Sequence, residues 1–183
     1  PNGETIKFEL ERYMREEKVK LGYDFVTIPH IAKRALYEKS GHMGKYDAMM
    51  PVMQDDEGTE LVLKAMNCPH HFELYTSRPH SYRDLPLRYA ENTTCYRNEK
   101  SGELAGLTRV KALTQDDTHH FVRHDQIEAE IEMILGLMER TYNTFGFHDF
   151  RVDVSVRDPD NKNKYFGDDA LWERAEQTLV DCV

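Results

Sequence analysis

The fold is decided by two extended stretches, LPLRYAENTTCYR at residues 85–97 and LTRVKALTQDDTHHFV at residues 107–122. Residues 98–106 separate them and contain a Ser-Gly pair and a second glycine, which are typical of a loop. The two stretches therefore predict a long antiparallel hairpin. Because other helix and strand patterns follow one another in mixed order around it, the sequence favours an α+β fold, with an antiparallel sheet flanked by helices, over a doubly wound parallel sheet.

The elements outside the hairpin follow from the spacing of apolar residues and from prolines, glycines and capping side chains. The predicted helices cover residues 4–21, 31–40, 69–77 and 127–145, the last with Asp125 as its cap, and a final helix begins at Asp168 or Asp169. The predicted strands cover residues 23–28, 61–65 and 147–156. We expect residues 1–183 to form a single partial domain whose fold is incomplete at the C-terminus.

Bulk composition is that of an ordinary globular domain. Hydrophobic residues make up 39% and charged residues 31% of the 183 residues. The net charge of −9 argues against a nucleic-acid coat protein or a basic arm, although it allows a local positive groove. The sequence has no apolar run of roughly 18 residues that could span a membrane. Three scattered cysteines indicate a reducing, cytoplasmic setting.

The second strand of the hairpin carries the most chemistry. Side chains alternate between the two faces of a strand, so its odd-numbered residues are predicted to share one face. These are Arg109, Lys111, Leu113, Gln115, Asp117 and His119. On the first strand, Arg97 and Glu99 have the same parity. The even-numbered residues should face the other way and pack on the core, namely Val110, Ala112 and Thr114.

A thiol and an imidazole, Cys68 and His119, are side chains that zinc prefers, and arginines between such ligands suggest phosphate chemistry beside a metal. Two simpler interpretations remain open at this point. A polar strand face is commonly the solvated side of an antiparallel sheet, and a buried cysteine commonly acts as a small apolar residue. Spacing does not decide between them, because Cys68 beside His70 and His71 does not match a zinc-finger pattern.

Two short motifs, MNCP at residues 66–69 and QDDTH at residues 115–119, carry a resemblance that extends over nearly all of the chain. The chain resembles the catalytic core of the threonyl-tRNA synthetases, a family of class II aminoacyl-tRNA synthetases. Residues 4–29 resemble motif 1 of that class, a helix and strand that build the dimer interface. Residues 85–122 resemble motif 2, the ATP-binding hairpin. The two short motifs distinguish this family from its seryl and prolyl relatives.

The resemblance implies a role for each matching position on the ATP side. Arg97 would grip the α-phosphate, Glu99 would contact the adenine amino group and Arg109 would meet the outer phosphates. Leu113 occupies a position where family members often carry an aromatic residue, so it can pack against adenine but cannot stack on it. Mg²⁺ is expected to accompany the ATP.

The resemblance also implies the amino acid side of the site. Cys68 and His119 would be two of three protein ligands of a zinc ion (Zn²⁺), and the third, a histidine, is expected beyond residue 183. Asp117 would accept a hydrogen bond from the hydroxyl group of threonine. Gln115 would hold the carboxyl end of the amino acid, and Met66 would line the pocket.

The function implied by the resemblance is ATP-dependent activation of L-threonine and its transfer to tRNA(Thr), with zinc-assisted selection of threonine, by a cytoplasmic homodimer. Nothing in these residues resembles an editing or anticodon-binding domain, and motif 3 is expected after them. The chain is therefore not expected to aminoacylate alone. Two alternatives stay open: a non-catalytic synthetase-like module for dimerisation or regulation, and another class II synthetase, seryl or prolyl.

Overall fold

The computed structural model describes residues 1–158, 160, 161, 165 and 167–183. The chain divides into two units, Pro1–Phe121 and Val122–Val183. Among the helices that these residues form, none is both long and apolar enough to cross a bilayer.

The first unit alternates helices and short strands before its two long strands. In chain order its elements are α1 (Asn2–Lys20), β1 (Asp24–Phe25), β2 (Ile31–Lys33), α2 (Arg34–Lys39), α3 (His42–Lys45), β3 (Met53–Gln54), β4 (Glu60–Leu63), α4 (Cys68–Thr76), β5 (Leu87–Tyr96) and β6 (Ala112–Phe121). Ion pairs between side chains one turn apart support α1, such as Lys7 with Glu11 at 3.2 Å. Gly22, with a φ of 76°, follows the end of that helix.

Strands β5 and β6 form the antiparallel hairpin that the sequence predicts, although each strand is shorter than expected. The register pairs Leu87 with Phe121 at one end and Tyr96 with Ala112 at the other. The connection is longer than predicted because it contains a 3-10 turn at Ser101–Glu103 and an isolated bridge between Ala105 and Arg109. Because directly paired residues point to the same face, this register fixes which side chains meet.

Strand β1 pairs with the other edge of β5 and runs parallel to it, so the sheet β1-β5-β6 combines both kinds of pairing. The strand predicted at residues 23–28 is present but shorter. The N–H of Val26 still donates to the carbonyl of Ala90 at 3.0 Å. The N–H of Ile28 donates instead to the side chain of Glu91 at 2.8 Å, which ends the backbone ladder.

A second, antiparallel sheet has the order β2-β4-β3. The first residues of the helix predicted at 31–40 belong to this sheet instead, because Ile31–Lys33 pair with β4 and only the following residues are helical. After β4 the chain reaches the hairpin, where the N–H of Tyr96 donates to the carbonyl of Lys64 at 2.8 Å. This contact places the connection between β4 and α4 against the hairpin.

Two apolar clusters hold the first unit together. One consists of Ala32, Tyr37 and Val62, and the other of Leu87, Tyr89 and Phe121. In the second cluster, Tyr75 of α4 stacks on Phe121 with ring centroids 4.1 Å apart. Full burial of a large apolar side chain stabilises a fold by about 1.5–3 kcal/mol. These clusters therefore fix α2 and α4 against the two sheets.

At the end of β6 next to the hairpin connection, the even-numbered residues do not pack on the core as the sequence predicts. Val110, Ala112 and Thr114 were expected to pack on the core, but Ala112 and Thr114 are exposed and Val110 is half-buried. The odd-numbered residues face the inside, because the β4–α4 connection contacts them. The alternation of side chains therefore predicts correctly which residues of β6 share a face. Which of the two faces points inward depends on contacts with residues that are distant in the sequence.

The second unit contains α5 (Ile127–Thr144) and α6 (Asp169–Cys182), which contact each other. Asp168 caps α6, as predicted, because its carboxylate accepts from the N–H of Ala170 at 2.8 Å and of Leu171 at 3.2 Å. The single tryptophan of the sequence, Trp172, lies in α6 with the ring of Tyr165 edge-on at 5.7 Å.

Two predictions for the second unit are wrong. Asp125 does not cap α5; its carboxylate accepts from the guanidinium of Arg123, and a 3-10 turn at His124–Gln126 precedes the helix. The strand predicted at residues 147–156 does not form, and Phe147 is 61% exposed. Within the described part of this unit the regular elements are helical, so the alternating apolar pattern has no strand with which to pair.

Candidate functional site

The inner face of the hairpin carries paired polar side chains from both strands. The register places Glu91 opposite Asp117, Thr93 opposite Gln115, Tyr89 opposite His119 and Cys95 opposite Leu113. The four positions of β6 that the sequence predicts as site residues therefore lie on one face, and all four are half-buried. The paired positions of β5 are buried.

The β4–α4 connection, residues 64–71, contacts that face. Its helical end begins at Cys68 and Pro69, where a proline is favourable because the first turn of a helix does not need its N–H. Lys64, Asn67 and His71 are fully buried in this connection. Buried polar groups require hydrogen-bond partners, and each of these three side chains has one on the hairpin.

Asn67 holds the carboxylate of Asp117. Its amide nitrogen donates to Asp117 Oδ2 at 2.8 Å, and its amide oxygen accepts from the thiol of Cys95 at 3.5 Å. The two contacts determine which end of the amide is which, so the side chain has one orientation. Asp117 therefore presents a carboxylate that is already positioned by a rigid donor.

Lys64 places a buried amine beneath the same face. Its ammonium donates to the hydroxyl of Thr93 at 2.7 Å. Burial lowers the pKa of Lys64, and the nearby negative charges of Glu91 and Asp117 act in the opposite direction. The lysine thus supplies a compensating positive charge close to two carboxylates.

His71 and His119 contact each other directly. Their Nδ1 atoms are 2.8 Å apart, and the rings meet edge to face with centroids 4.7 Å apart. On its other side, His71 Nε2 lies 3.4 Å from Glu91 Oε2. Burial lowers the pKa of both imidazoles, because a charged ring is poorly solvated there.

The backbone of Met66 is held by Tyr37. The hydroxyl of Tyr37, a fully buried residue, donates to the carbonyl of Met66 at 2.9 Å. Burial raises the pKa of the Tyr37 phenol well above its ordinary value, so this donor keeps its proton. This hydrogen bond thus fixes the backbone directly before the segment that carries Asn67, Cys68 and His71.

Cys68 is half-buried at the start of α4. Burial, and after it the charge of Asp117, raises the pKa of the Cys68 thiol. A thiol near a carboxylate, together with an imidazole whose Nδ1 is already occupied, is a donor set that fits zinc. Among the residues that the structure describes, no group of three or more His, Cys, Asp or Glu side chains is arranged to hold a metal ion. The described residues therefore offer part of a metal site.

The other end of the hairpin carries the predicted ATP-side residues. Arg97 follows β5, and its N–H donates to the carbonyl of Lys111 at 2.8 Å. Its Nε is buried and has no hydrogen-bond partner among the described residues. Arg109 donates to Glu99 at 3.0 Å and lies 3.5 Å from Glu103. Arg109 is half-exposed, so exchanging these ion pairs for an anionic ligand costs little.

Sequence reasoning identified the β6 residues but missed Lys64, Asn67, His71 and Glu91. The alternation of side chains along a strand could have indicated Glu91, because it places Glu91 on the same face as Arg97. An acidic residue within a strand also requires a hydrogen-bond partner when it is buried. The strand register was needed to show which partner each of these side chains finds.

A family model described as tRNA synthetase class II core domain (G, H, P, S and T) matches residues 51–174. That span is more than half of the chain and includes both the β4–α4 connection and the whole hairpin. The chain belongs to this class II tRNA synthetase family. Within the family, its sequence corresponds to part of the catalytic region of the threonine–tRNA ligases.

Curated relatives support this placement within the class II family. The chain is 48% identical over 182 residues to a threonine–tRNA ligase of Staphylococcus epidermidis, and 45% identical over 183 residues to one of Cytophaga hutchinsonii. Each alignment covers 99% of this chain and 28% of the relative. The chain thus spans little more than a quarter of the length of these ligases.

Solved structures of the family have the same fold. The threonyl-tRNA synthetase ThrRS-1 of Aeropyrum pernix matches 97% of this chain and 40% of its own, with a TM-score of 0.83 at 29% identity. The RNA binding domain of a threonyl-tRNA synthetase of Cryptosporidium parvum matches 94% of this chain and 42% of its own, with a TM-score of 0.81 at 33% identity. A prolyl-tRNA synthetase of Giardia lamblia, at 18% identity and a TM-score of 0.71, shares the fold. The predicted α+β class II architecture is therefore confirmed.

Proposed function

We propose that this chain forms part of the site at which threonine is activated by ATP for transfer to tRNA(Thr). One observation carries the proposal. On the odd-numbered face of the hairpin, Asp117 and His119 lie in the half that ends at the pair Leu87 and Phe121, and each is held by a buried partner. At the other extremity Arg97 has a buried nitrogen without a partner among the described residues. An amino acid joined to a nucleotide needs recognition at two such separated points.

The ATP end follows from the charges and their exposure. A partly buried guanidinium with an unused N–H is a strong binding site for a phosphate oxygen, so we assign the α-phosphate to Arg97. Arg109 would leave its exposed pairing with Glu99 to meet the outer phosphates, and Glu99 would then be free to contact the adenine amino group. Leu113 lies on the same face and would pack against the base. ATP would enter with Mg²⁺.

The amino acid end follows from Asp117. Its carboxylate would accept a hydrogen bond from the hydroxyl group of threonine, while Gln115 would hold the carboxyl end and Met66 would line the pocket. Cys68 and His119 would hold Zn²⁺ together with a third ligand outside residues 1–183. A bound zinc ion with an open position would supply a Lewis acid for the amino and hydroxyl groups of the substrate.

A polar pocket would allow the site to select threonine over amino acids of similar shape. An apolar pocket separates isosteric amino acids such as threonine and valine by only about 10²-fold. A site built to hydrogen-bond a hydroxyl rejects an analogue without it by about 10⁴–10⁵-fold, because the polar groups of the site are left unpaired. Asp117, fixed by Asn67, is such a group. Serine differs by one methyl group, worth roughly 1–3 kcal/mol, so it is expected to be rejected poorly.

The chemical step requires no nucleophile from the protein. The carboxylate of threonine would attack the α-phosphorus, forming the threonyl-adenylate and releasing pyrophosphate, and the tRNA would then displace AMP. Arg97 would stabilise the negative charge that develops on the α-phosphoryl oxygens. We further propose that the complete protein is a cytoplasmic homodimer joined through residues 4–29. We also propose that the chain does not complete the reaction alone.

The test is threonine-dependent ATP–pyrophosphate exchange in a full-length protein that contains this segment. Arg97→Ala should lower the exchange rate by about 10²–10³-fold, because a preorganised donor is lost. Arg97→Lys should recover part of the rate, since it keeps the charge but not the planar fork. Arg151→Ala is the matched control, because the Arg151 side chain is 85% exposed.

Exchange that survives Arg97→Ala within a few-fold would contradict the assignment of the α-phosphate to Arg97. Exchange that depends on proline or serine instead of threonine would assign the chain to a sister branch of the family. A folded full-length protein with no exchange for any amino acid would favour a non-catalytic module.

A further inference from the structure

We propose that His71, held by Glu91, is a positioning residue that sets the tautomer of His119 and leaves its Nε2 without a proton. The inference rests on the proposed zinc site, in which His119 is a ligand. It assigns a role to two buried residues, His71 and Glu91, that the reaction itself does not require.

Glu91 determines where the proton of His71 lies. One carboxylate oxygen, Oε1, accepts from the N–H of Ile28 at 2.8 Å, and the other, Oε2, faces His71 Nε2 at 3.4 Å. A carboxylate can only accept hydrogen bonds. His71 therefore carries its hydrogen on Nε2.

The proton of His71 in turn determines the proton of His119. His71 is fully buried, so its ring is neutral and has one N–H. With the hydrogen on Nε2, His71 Nδ1 is a bare acceptor. His119 Nδ1 lies 2.8 Å from it and must be the donor. A neutral His119 that donates from Nδ1 has a lone pair on Nε2.

This arrangement is the one that a metal-binding histidine needs. Such a ring binds the metal through a bare nitrogen and donates its other N–H to a fixed partner, which orients the ring. The rings of Tyr89 and Phe72 meet His71 and His119 edge to face at 6.2 and 6.4 Å, and they restrict rotation of the pair. The buried His71 thus orients the ring of His119 and fixes its tautomer.

Glu91→Gln tests the inference without changing the shape of the site. The N–H of Ile28 still needs an acceptor, so the amide oxygen of the new side chain is kept there. Its NH₂ group then faces His71 Nε2, which must become an acceptor. The hydrogen of His71 moves to Nδ1, and the hydrogen of His119 moves to Nε2, where it blocks the metal-binding nitrogen.

Two measurements follow. In the metal-free chain, long-range ¹H–¹⁵N NMR of the imidazoles should show His119 with its hydrogen on Nδ1, and on Nε2 in Glu91→Gln. In a full-length protein that contains this segment, Zn²⁺ affinity measured by chelator competition should fall about 10–100-fold in Glu91→Gln. Glu73→Gln in the same helix as His71 is the control, because that side chain is 48% exposed.

The outcomes separate this inference from the zinc site itself. Zinc bound equally by the wild type and Glu91→Gln, or a wild-type His119 with its hydrogen on Nε2, overturns the inference and leaves the zinc site standing. A wild type that binds no zinc while its His119 carries the hydrogen on Nδ1 overturns the zinc site, and the positioning role with it. If Glu91→Gln does not fold, His71→Phe, which removes the acceptor, should weaken Zn²⁺ binding by a similar factor.

Discussion

At the scale of single residues, Tyr37 holds the backbone beside two of the proposed site residues without being one of them. It is fully buried in the cluster with Ala32 and Val62, and its hydroxyl holds the carbonyl of Met66. The two residues that follow Met66 are Asn67 and Cys68. An apolar cluster is in this way connected by one hydrogen bond to the proposed amino acid end of the site.

Tyr37→Phe should lower the free energy of unfolding at pH 7 by about 1–2 kcal/mol, because the carbonyl of Met66 loses a buried partner. The difference should shrink as the pH rises above 10. The folded-state pKa of Tyr37 is raised, so its stabilising effect is complete below the unfolded pKa of 10.0 and is lost as the pH rises towards the folded value. Urea unfolding at pH 7 and pH 10.5 measures both effects.

Tyr82→Phe is the control for this substitution, because Tyr82 is 63% exposed and its hydroxyl accepts from the neighbouring Arg83. It should change stability by less than about 0.5 kcal/mol at either pH. An equal effect of the two substitutions would show that the hydrogen bond to Met66 is not important.

Cys68 carries the second prediction at this scale. In a full-length protein that contains this segment, Cys68→Ser should lose bound zinc, because a hydroxyl is a much poorer zinc ligand than a thiolate. Cys182→Ser, in the second unit, should retain it. Metal analysis of the purified proteins measures the effect, and a metal-free protein with full threonine-dependent activity would remove the argument for zinc.

At the scale of elements, the most informative contact joins α1 to β6. Lys18 is 2% exposed near the end of α1, and its ammonium lies 2.5 Å from Asp116 Oδ1. The ring of Tyr23 is 5.8 Å from the same ammonium. This ion pair reaches the outer face of the hairpin, opposite to Asp117. It holds the motif 1-like helix against the strand that carries the site.

Lys18→Met should lower the free energy of unfolding by about 2 kcal/mol, because it leaves the partly buried Asp116 without its counter-charge. Lys20→Met should change it by about 0.5 kcal/mol or less. The control is well matched, since Lys20 lies in the same helical turn and also pairs with a glutamate, Glu17, but is 67% exposed. A double-mutant cycle with Asp116→Asn should show a coupling of about 1 kcal/mol or more. Additive effects would rule out a stabilising ion pair.

Elements also show what could be predicted from the sequence. The hairpin, α1 and α4 were predictable because loop residues, helix periodicity and Pro69 act locally. The inward face of β6 was not, because it is decided by residues 64–71, which are distant in sequence. The strand expected at residues 147–156 failed for the related reason that a strand pattern is realised only next to a partner strand.

The residues of the candidate site also divide into those that the sequence could predict and those that it could not. Asp117, His119, Cys68 and Arg97 could be chosen because their residue types and motifs indicate chemistry. His71 and Glu91 could not, since each gains its importance from a neighbour brought to it by the strand register. A single sequence indicates which residues of a strand share a face, but it does not show which residue of the neighbouring strand lies opposite each of them.

At the scale of the whole molecule, both apolar clusters and the residues of the site lie in the first unit. The same unit presents apolar side chains on α1 that its own core does not cover. Ile6 is 61% and Leu10 42% exposed, and one helical turn separates them. Exposed apolar residues on one face of a helix are typical of an association surface, and the homodimer that the resemblance to motif 1 implies stays a prediction.

Ile6→Glu should raise the dissociation constant of the proposed homodimer by about tenfold or more, because burial of an isoleucine side chain is worth about 1.5–3 kcal/mol. Leu107→Glu should leave it unchanged. Leu107 is a suitable control because it is 96% exposed and lies on the hairpin connection rather than on α1. Sedimentation equilibrium of the full-length protein measures both. A protein that remains monomeric at high concentration would contradict the dimer.

Trp172 has a practical consequence for measurements of the unfolding of this chain. It is the single tryptophan of the sequence and lies in α6, in the unit Val122–Val183. Tryptophan emission therefore reports the optical environment of the second unit, whereas the stacked rings of Tyr75 and Phe121 give ring-current shifts that report the first. A fluorescence melting curve follows the surroundings of Trp172 and does not report directly on Tyr37 or Lys18. Near-ultraviolet circular dichroism of the tyrosines, or methyl NMR, is the appropriate probe.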